Sequence, residues 1–320
     1  MEAQKSHPIL DVEHLTKIYG REFKINKYKI GRRIVAANDV SFTVRKGEIF
    51  GFLGPNGAGK TTVIRSILGY LTLKSGKIKI YGMDHRNDGL KIREKLGHIP
   101  GDVTLYGNFT GEELLRYLDS FRPIDSEFLE KLRRIFKVDL TLKIRNLSSG
   151  NRQQVAIITA LSSNPDLLIL DEPSSGLDPL MASRFQKILR EMVNQGKTIF
   201  LSSHDLAEVQ AICDRVGIIR EGQIIVIESV KELRRKSIQN LIIEFSEDET
   251  PSIEEFKVIP NVISVDKRDG TFLIKVKENV NELLKVVTSH RVKRMTLEDT
   301  SLEEIFLEYY KDELDRLQEE

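Results

Sequence analysis

The chain has 320 residues, a formal net charge of +1 and a single cysteine, Cys213. This length allows about two domains, and the near-neutral charge gives no whole-protein argument for nucleic-acid binding. One cysteine excludes an intrachain disulfide, the N-terminus lacks the apolar core of a signal peptide, and no apolar run approaches the roughly 18 to 20 residues of a membrane helix. These features predict a cytoplasmic protein.

The first part of the chain alternates between apolar and polar residues. Residues 9 to 50 and 76 to 82 show this pattern, which predicts an antiparallel sheet. Residues 21 to 33 interrupt it with six Lys or Arg side chains against one Glu. This insertion is either a solvated β-hairpin or an arm that contacts anionic lipid or a partner, and the sequence does not decide between them.

A phosphate-binding loop follows the short apolar strand Glu48 to Leu53. Residues 54 to 62, GPNGAGKTT, fit the pattern G-x-x-x-x-G-K-[ST] and open a helix. Backbone N–H groups at a helix N-terminus bind phosphate, and glycines allow the tight turn. Lys60 then reaches the β- and γ-phosphate oxygens, and the Thr61 hydroxyl ligates Mg²⁺. The predicted nucleotide-binding residues here are Asn56, Gly57, Ala58, Gly59, Lys60, Thr61 and Thr62.

Helical spacing follows the loop. Residues 83 to 96, 111 to 121 and 126 to 136 predict three helices. In the second helix, apolar residues recur from Leu114 to Phe121. We interpret this stripe as core or as a subdomain interface.

A second half of the site is predicted near residue 170. Leu167 to Leu170 is an apolar run that favours a central strand of a parallel sheet, and it ends in Asp171 and Glu172. Open α/β sheets bind ligands at the carboxyl ends of their strands. We expect Asp171 to hold Mg²⁺ and Glu172 to polarise the water that attacks the γ-phosphate.

Four further motifs resemble those of ABC-type ATPases. Leu147 to Asn151 resembles the signature loop, usually L-S-G-G-Q; Ser175 to Asp178 resembles the D-loop; and Ser202 to Asp205 resembles the switch-histidine segment. Tyr19 lies where this family stacks an aromatic ring on adenine. The resemblance covers roughly residues 9 to 230. It implies an α/β P-loop NTPase cassette with an antiparallel β subdomain and a helical subdomain.

The same resemblance implies roles for several residues. Ser148 and Gly150 would come from an opposing subunit and meet the γ-phosphate, and His204 would steady the γ-phosphate and the transition state. Lys60, Glu172 and His204 are thus the expected catalytic residues, with ATP and Mg²⁺ as cofactors. Two departures stand out. Gly101, followed by Asp102, replaces the usual Mg²⁺-coordinating Gln, and the signature loop carries Ser149 and Asn151 in place of Gly and Gln.

The C-terminal residues 237 to 320 predict a second domain, after a cassette of residues 1 to 236. Strand and helix patterns alternate as βαββαβ between Leu241 and Leu297, which suggests a ferredoxin-like α+β sandwich. The sequence SLEE at 301 to 304 then resembles a capping box that starts a last helix. Domains of this layout resemble those on exporter ATPases of the drug and antibiotic class. We interpret the domain as a dimerisation or regulatory module.

The resemblance implies an ATPase subunit that powers export through a separate membrane permease and works as a homodimer or beside a second ABC subunit. It would sit peripherally on the cytoplasmic face of the membrane. Two alternatives stay open: a soluble ABC ATPase acting on a ribosome or DNA machine, and a nucleotide-sensing module without turnover. A single cassette and the absence of a long heptad coil disfavour the first alternative, while Glu172 and His204 disfavour the second. Gly101, which offers no side-chain ligand for Mg²⁺, leaves the nucleotide-sensing alternative open.

Overall fold

The structure is a computed structural model that describes residues 8–20, 23–25, 28–30, 33–235, 238–246, 250–268, 270–277 and 280–299. The strands, in chain order, are β1 (Leu10–Tyr19), β2 (Phe23–Ile25), β3 (Tyr28–Ile30), β4 (Ile34–Val44), β5 (Ile49–Leu53), β6 (Ser75–Ile80), β7 (Met83–Asp84), β8 (Leu96–Ile99), β9 (Leu167–Asp171), β10 (Thr198–Ser203), β11 (Arg215–Arg220), β12 (Gln223–Ser229), β13 (Ile238–Phe245), β14 (Val262–Arg268), β15 (Thr271–Lys277) and β16 (Val292–Asp299). The α-helices are α1 (Lys60–Ile67), α2 (Gly89–Arg93), α3 (Gly111–Asp119), α4 (Ser126–Ile135), α5 (Ser149–Leu161), α6 (Pro179–Asn194), α7 (Leu206–Ile212), α8 (Val230–Arg235), α9 (Ile253–Lys257) and α10 (Asn281–Thr288). Contacts divide the chain into two compact units, Met1–Ile227 and Glu228–Glu320.

A parallel sheet forms the centre of the first unit. Its strand order is β12-β11-β5-β10-β9-β8, and β11, β5, β10, β9 and β8 run parallel. Every residue of β5, β9 and β10 is buried, as expected for strands covered on both faces. Because β10 lies between β5 and β9, the phosphate loop, the Asp171–Glu172 pair and His204 all emerge at one edge of this sheet.

The predicted antiparallel sheet is also present. Its order is β4-β1-β6-β7, and its apolar side chains share a core with the parallel sheet, where the Phe42 ring stacks on Phe50, Phe52 and Phe200. Within the insertion, β2 and β3 pair as an antiparallel hairpin with Phe23 opposite Ile30. This hairpin is the backbone form that the first interpretation of the insertion predicted.

The helical part of the first unit matches the prediction in two of three places. The Thr110 side chain and Glu113 cap α3 with a capping box, and Asp125 caps α4. The helix predicted over 83–96 is wrong in its bounds. Met83–Asp84 pairs with β6 as a strand, and the Asp84 carboxylate accepts the Arg86 and Asn87 N–H groups in a turn, so only Gly89–Arg93 is helical.

The predicted stripe along α3 is buried only in part. Leu114 and Leu115 are buried, whereas Phe121 lies beyond the end of the helix and is exposed. Across the described residues, no helix is long and apolar enough to cross a membrane.

The second unit has the predicted βαββαβ order. Its sheet runs β14-β15-β13-β16 with every neighbouring pair antiparallel, which is the ferredoxin-like arrangement. Its core is apolar and contains Leu241, Ile243, Phe245, Phe256, Ile259, Phe272, Ile274, Val276, Leu283 and Val287. The helix predicted from residue 301 lies outside the described residues. The boundary between residues 236 and 237 stays a prediction.

Candidate nucleotide-binding site

The phosphate loop joins β5 to α1 in a conformation that needs glycine. Gly57 and Gly59 have φ angles of 84° and 106°, a region that side chains with a Cβ rarely adopt. A Cβ on Gly59 would also lie 2.3 Å from the Ala36 carbonyl oxygen. The loop can therefore pack against β4 only because position 59 has no side chain.

Lys60 is held inside this loop. Its side chain is 5% exposed, and its ammonium donates to the carbonyl oxygens of Gly54 at 2.7 Å and Pro55 at 3.2 Å. The same Nζ lies 3.1 Å from Glu172 Oε1. Lys60 thus links the phosphate loop to the end of β9.

Ser202 contacts both acidic residues at the end of β9. Its hydroxyl donates to Asp171 Oδ1 at 2.6 Å and accepts the Glu172 N–H at 3.1 Å. Asp171 is buried, with 2% exposure. Glu172 has a φ of 48°, a left-handed conformation that is uncommon for a non-glycine residue. This backbone turn directs the Glu172 carboxylate toward Lys60 while Asp171 stays in the sheet.

His204 completes the group. Its Nδ1 lies 2.5 Å from Glu172 Oε2, and because a carboxylate only accepts hydrogen bonds, Nδ1 carries the shared proton. Glu172 therefore contacts Lys60 through one oxygen and His204 through the other.

A cavity of about 500 Å³ opens over the loop. It is lined by Ile34, Val35, Ala36, Pro55, Asn56, Gly57, Gly59, Lys60, Thr61, Thr62, Glu172, Glu221 and Gly222. Seven of the predicted site residues are in this lining, and His204 joins them through Glu172. Ala58 and Asp171 lie next to it in sequence but do not line it.

Tyr19 lies beside the cavity at the end of β1. It pairs with Ile34, which does line the cavity, and Lys17 Nζ lies 5.0 Å from the centroid of its ring. Ile34 and Val35 are apolar yet exposed. They extend the surface beside the Tyr19 ring toward the phosphate loop.

Ser148 and Gly150 do not line the cavity. The Ser148 hydroxyl caps α5 by accepting the Asn151 N–H at 3.2 Å. A Cβ on Gly150 would lie 2.8 Å from the Gly176 carbonyl oxygen, so the signature loop packs against the D-loop segment. The chain brings together the phosphate loop, Glu172 and His204, and it leaves the signature residues outside that group.

Gly101 contacts the carboxylate that is expected to hold the metal ion. A Cβ there would lie 3.1 Å from Asp171 Oδ2, so any larger residue would press on Asp171. Asp102 is exposed. Because Gly101 stands where the family usually has Gln, only backbone atoms lie beside Asp171 at this position.

Sequence reasoning missed several residues of the site. Ser202 orients Asp171 and Glu172, Gln153 Nε2 donates to the Pro173 carbonyl oxygen at 2.6 Å, and Glu221 and Gly222 line the cavity. The only sequence signal for Ser202 was its place at the end of an apolar strand, directly before the Ser203-His204 pair.

Comparisons with known proteins identify the class. Residues 37–175 match the family described as ABC transporter, and residues 229–310 match the family described as ATP-binding protein DrrA1-3-like, C-terminal domain. YhcH of Bacillus subtilis (strain 168), an uncharacterized ABC transporter ATP-binding protein, is 31% identical over 87% of this chain and 91% of its own length. YbhF of Escherichia coli (strain K12), a probable multidrug ABC transporter ATP-binding protein, is 32% identical over 74% of this chain but 40% of its own length.

Solved structures agree with this class. A structure described as the ATP binding subunit of an ABC transporter matches with a TM-score of 0.61 and 30% identity, over 71% of this chain and 92% of its own. The structure of cbiO1 from Clostridium perfringens, part of the ABC transporter complex cbiONQ, matches with a TM-score of 0.55 and 28% identity, over 71% and 90%. The fold and the site thus define an ABC-type P-loop ATPase. The chain belongs to the family of ABC transporter ATP-binding proteins, and its reaction is ATP hydrolysis.

Proposed function

We propose that this chain powers export through a separate membrane permease, by closure and opening of a dimer driven by ATP. The observation that carries the proposal is the division of the site. The phosphate loop, Glu172 and His204 meet at one cavity, whereas Ser148 and Gly150 lie outside it. A second copy, or a second ABC subunit, would supply those two residues to the γ-phosphate.

The residues near the cavity fit Mg²⁺. Thr61 offers a hydroxyl and Asp171 a carboxylate that Ser202 orients, and Mg²⁺ in such sites takes one or two protein oxygens plus substrate phosphates. When bound, Mg²⁺ would neutralise phosphate charge.

Nucleotide binding would change the contacts of Lys60. The Lys60 ammonium lies 3.1 Å from Glu172 Oε1, and a triphosphate offers more negative charge to the same donor. Lys60 would move its contact to the β- and γ-phosphates and release Oε1. That oxygen would then accept a hydrogen bond from the attacking water, while Oε2 stays on His204, which steadies the γ-phosphate.

The dimer is tested with Glu172→Gln, which should bind ATP without turnover. We expect size-exclusion chromatography with light scattering to give a dimer in ATP and Mg²⁺ and mostly monomer in ADP. As a control, Glu172→Gln combined with Ser148→Arg should remain monomeric in ATP, because the added side chain blocks the signature loop. A monomer for Glu172→Gln at saturating ATP would contradict the proposal.

The permease would contact an apolar groove on the first unit. This groove has a volume of about 530 Å³ and is lined mainly by residues of α2, β8, α3 and the segments that follow α1 and α3. Leu90 and Phe121 in its lining are 71% and 68% exposed, and exposed apolar patches mark interaction sites. Tyr106, Phe109, Tyr117 and Phe121 form a series of ring contacts that leads to the groove. We place the docking contact here and near residues 101 to 106.

Two relatives support this assignment. cbiO1 is part of an ABC transporter complex, and YbhF is a probable multidrug ABC transporter protein. The chain would therefore lie peripherally on the cytoplasmic face of the membrane.

We expect a membrane protein encoded beside it to co-purify with it. Leu90→Asp combined with Phe121→Ser should abolish co-purification without lowering the ATPase rate of the isolated chain. Leu142→Asp, at an exposed leucine outside the groove lining, is the matched control.

A further inference from the structure

Two serine hydroxyls meet on one buried carboxylate behind the site. Ser203 Oγ donates to Glu208 Oε2 at 2.6 Å, and Ser174 Oγ donates to Glu208 Oε1. Ser203 directly precedes His204, and Ser174 lies two residues after Glu172. One side chain thus joins the two segments that carry the catalytic pair.

Glu208 is itself fixed to the turn that carries His204. It lies in the first turn of α7, where the Asp205 side chain accepts the N–H groups of Ala207 at 2.8 Å and Glu208 at 3.2 Å. The Ser203 hydroxyl also accepts the Asp205 N–H at 3.0 Å. These hydrogen bonds hold the Glu208 carboxylate against the segment after β10. Ser174, in the segment after β9, then donates its hydroxyl hydrogen bond to the same carboxylate.

The site of Glu208 is unusual for an acid. The residue is 8% exposed, and burial raises the pKa of its carboxyl, against the lowering effect of the two serine hydrogen bonds. A buried polar group is costly unless it is hydrogen-bonded. Glu208 is absent from the lining of the nucleotide cavity, so direct contact with a nucleotide does not explain why an acid is buried here.

Glu172 needs outside support to keep its geometry. Its φ of 48° is a conformation that persists only where the surroundings hold it. The Ser175 N–H donates to the Glu172 carbonyl oxygen at 3.1 Å within the turn, and Ser174 anchors the same turn on Glu208. If that anchor is lost, the turn can relax and the 2.5 Å contact between Glu172 and His204 can open.

We propose that Glu208 is a positioning residue that holds Glu172 and His204 in register by joining the segments after β9 and β10. It does not touch the nucleotide; it acts through those two residues. The inference rests on the roles given to them under the proposed function.

The test uses Glu208→Gln in the full chain. The amide keeps the shape but has one acceptor oxygen in place of two, so one serine loses its acceptor. Because small misplacements of catalytic groups cost up to about 100-fold, we expect kcat for ATP hydrolysis to fall about 10- to 100-fold while KM stays within about threefold. Ser174→Ala removes the same link from the other side and should reproduce this split between kcat and KM.

Glu48→Gln is the matched control. Glu48 is also a buried acid, 7% exposed, and its Oε1 accepts from the Arg45 N–H at 2.7 Å and the Arg215 guanidinium at 2.9 Å, but it precedes β5 at the opposite edge of the sheet. The Glu48→Gln substitution should lower Tm and leave kcat of the folded protein unchanged. An equal loss of kcat in Glu48→Gln would mean that general destabilisation explains both variants.

A double-mutant cycle separates positioning from an independent effect. In a His204→Ala background, Glu208→Gln should cost less than about twofold, since residues that act through one another are not additive. A kcat within about twofold of wild type for Glu208→Gln and Ser174→Ala, or the full loss repeated in the His204→Ala background, would overturn the inference. If Glu172→Gln alone retained turnover, the proposed role of Glu172 would fail instead. Should Glu208→Gln not fold, Ser174→Ala carries the same test.

Discussion

Glu172 is the residue on which the site's contacts converge. One carboxylate oxygen contacts Lys60 and the other contacts His204, and the left-handed turn at this position sets both directions. A residue in this geometry can exchange one partner for water while the other keeps it oriented. These contacts are consistent with a group that orients or deprotonates the attacking water.

We expect Glu172→Gln to hydrolyse ATP about 10²- to 10⁴-fold more slowly than wild type, the usual contribution of a general base. ATP affinity should be preserved, because Lys60 and the backbone N–H groups of the phosphate loop remain. The neutral side chain of the variant also competes less with ATP for the Lys60 ammonium than the Glu172 carboxylate does. Phosphate release and titration with a fluorescent ATP analogue measure the two quantities separately. Turnover within about threefold of wild type would remove Glu172 from this role.

Lys60→Ala should weaken ATP binding itself. The substitution removes the charge that faces the β- and γ-phosphates and also the donor that holds the Gly54 and Pro55 carbonyl oxygens of the loop. Fluorescent ATP titration measures the loss, with Lys77→Ala, an exposed lysine on β6, as the control. An unchanged affinity would show that the loop amides bind the nucleotide without help from Lys60.

The sequence could predict the residues that form linear motifs but not those that meet through the sheet. The phosphate loop and the Asp171–Glu172 pair each occupy one short segment. Ser202 and Glu208 act on residues about 30 positions away, and their contacts exist because β10 lies beside β9. A strand order is needed before such contacts can be predicted.

At the scale of elements, the basic insertion is the clearest departure from a minimal cassette. The structure gives it a paired hairpin, β2 with β3, in the segment that follows the strand carrying Tyr19. Its one acid is Glu22 and its one hydroxyl is the Tyr28 phenol, and its sequence contains no glycine-rich phosphate loop. Its six basic side chains are instead suited to an anionic surface, where each contributes about 1 kcal/mol.

We expect replacement of residues 22 to 32 by a short Gly-Ser turn to leave the ATPase rate unchanged and to weaken binding to anionic liposomes. The difference should be larger at low salt, where screening is least; neutral liposomes are the control. Unchanged liposome binding would favour a hairpin that only faces solvent. A lower ATPase rate in a folded variant would instead assign the hairpin to the adenine side of the site.

Element boundaries were predicted well where capping residues mark them and poorly where apolar residues suit two structures. Thr110 and Asp125 precede helices that begin as predicted. The spacing of apolar residues from 209 to 216 also suits a single helix, but α7 ends at Ile212 and β11 begins at Arg215. The apolar spacing fits both states, and pairing of Val216 with Gly51 on the neighbouring β5 decides the outcome.

At the scale of the whole molecule, the residues assigned to ATP lie in the first unit and the second unit has an apolar core of its own. The ferredoxin-like order of the second unit was predictable because burial alternates along β13 and β15 and the Asp269-Gly270 pair in the sequence favours a tight hairpin. The boundary stays a prediction. The sequence favoured a division after residue 236, whereas contacts group α8 with the second unit.

Deletion of residues 238 to 320 should leave ATP hydrolysis per folded dimer unchanged in the wild-type background and, in the Glu172→Gln background, weaken the dimer formed in ATP, because we interpret the second unit as a dimerisation clamp. Light scattering over a concentration series measures the dimer, and phosphate release measures hydrolysis. A second truncation, after Ser229, keeps β12 whole and removes α8 as well. If α8 belongs to the cassette, as the predicted boundary after residue 236 implies, this shorter chain should have a lower Tm than the longer one; equal Tm values would support the division by contacts. A dimer in ATP that is as stable after the first deletion as before it would rule out the clamp and leave regulation as the role of the second unit.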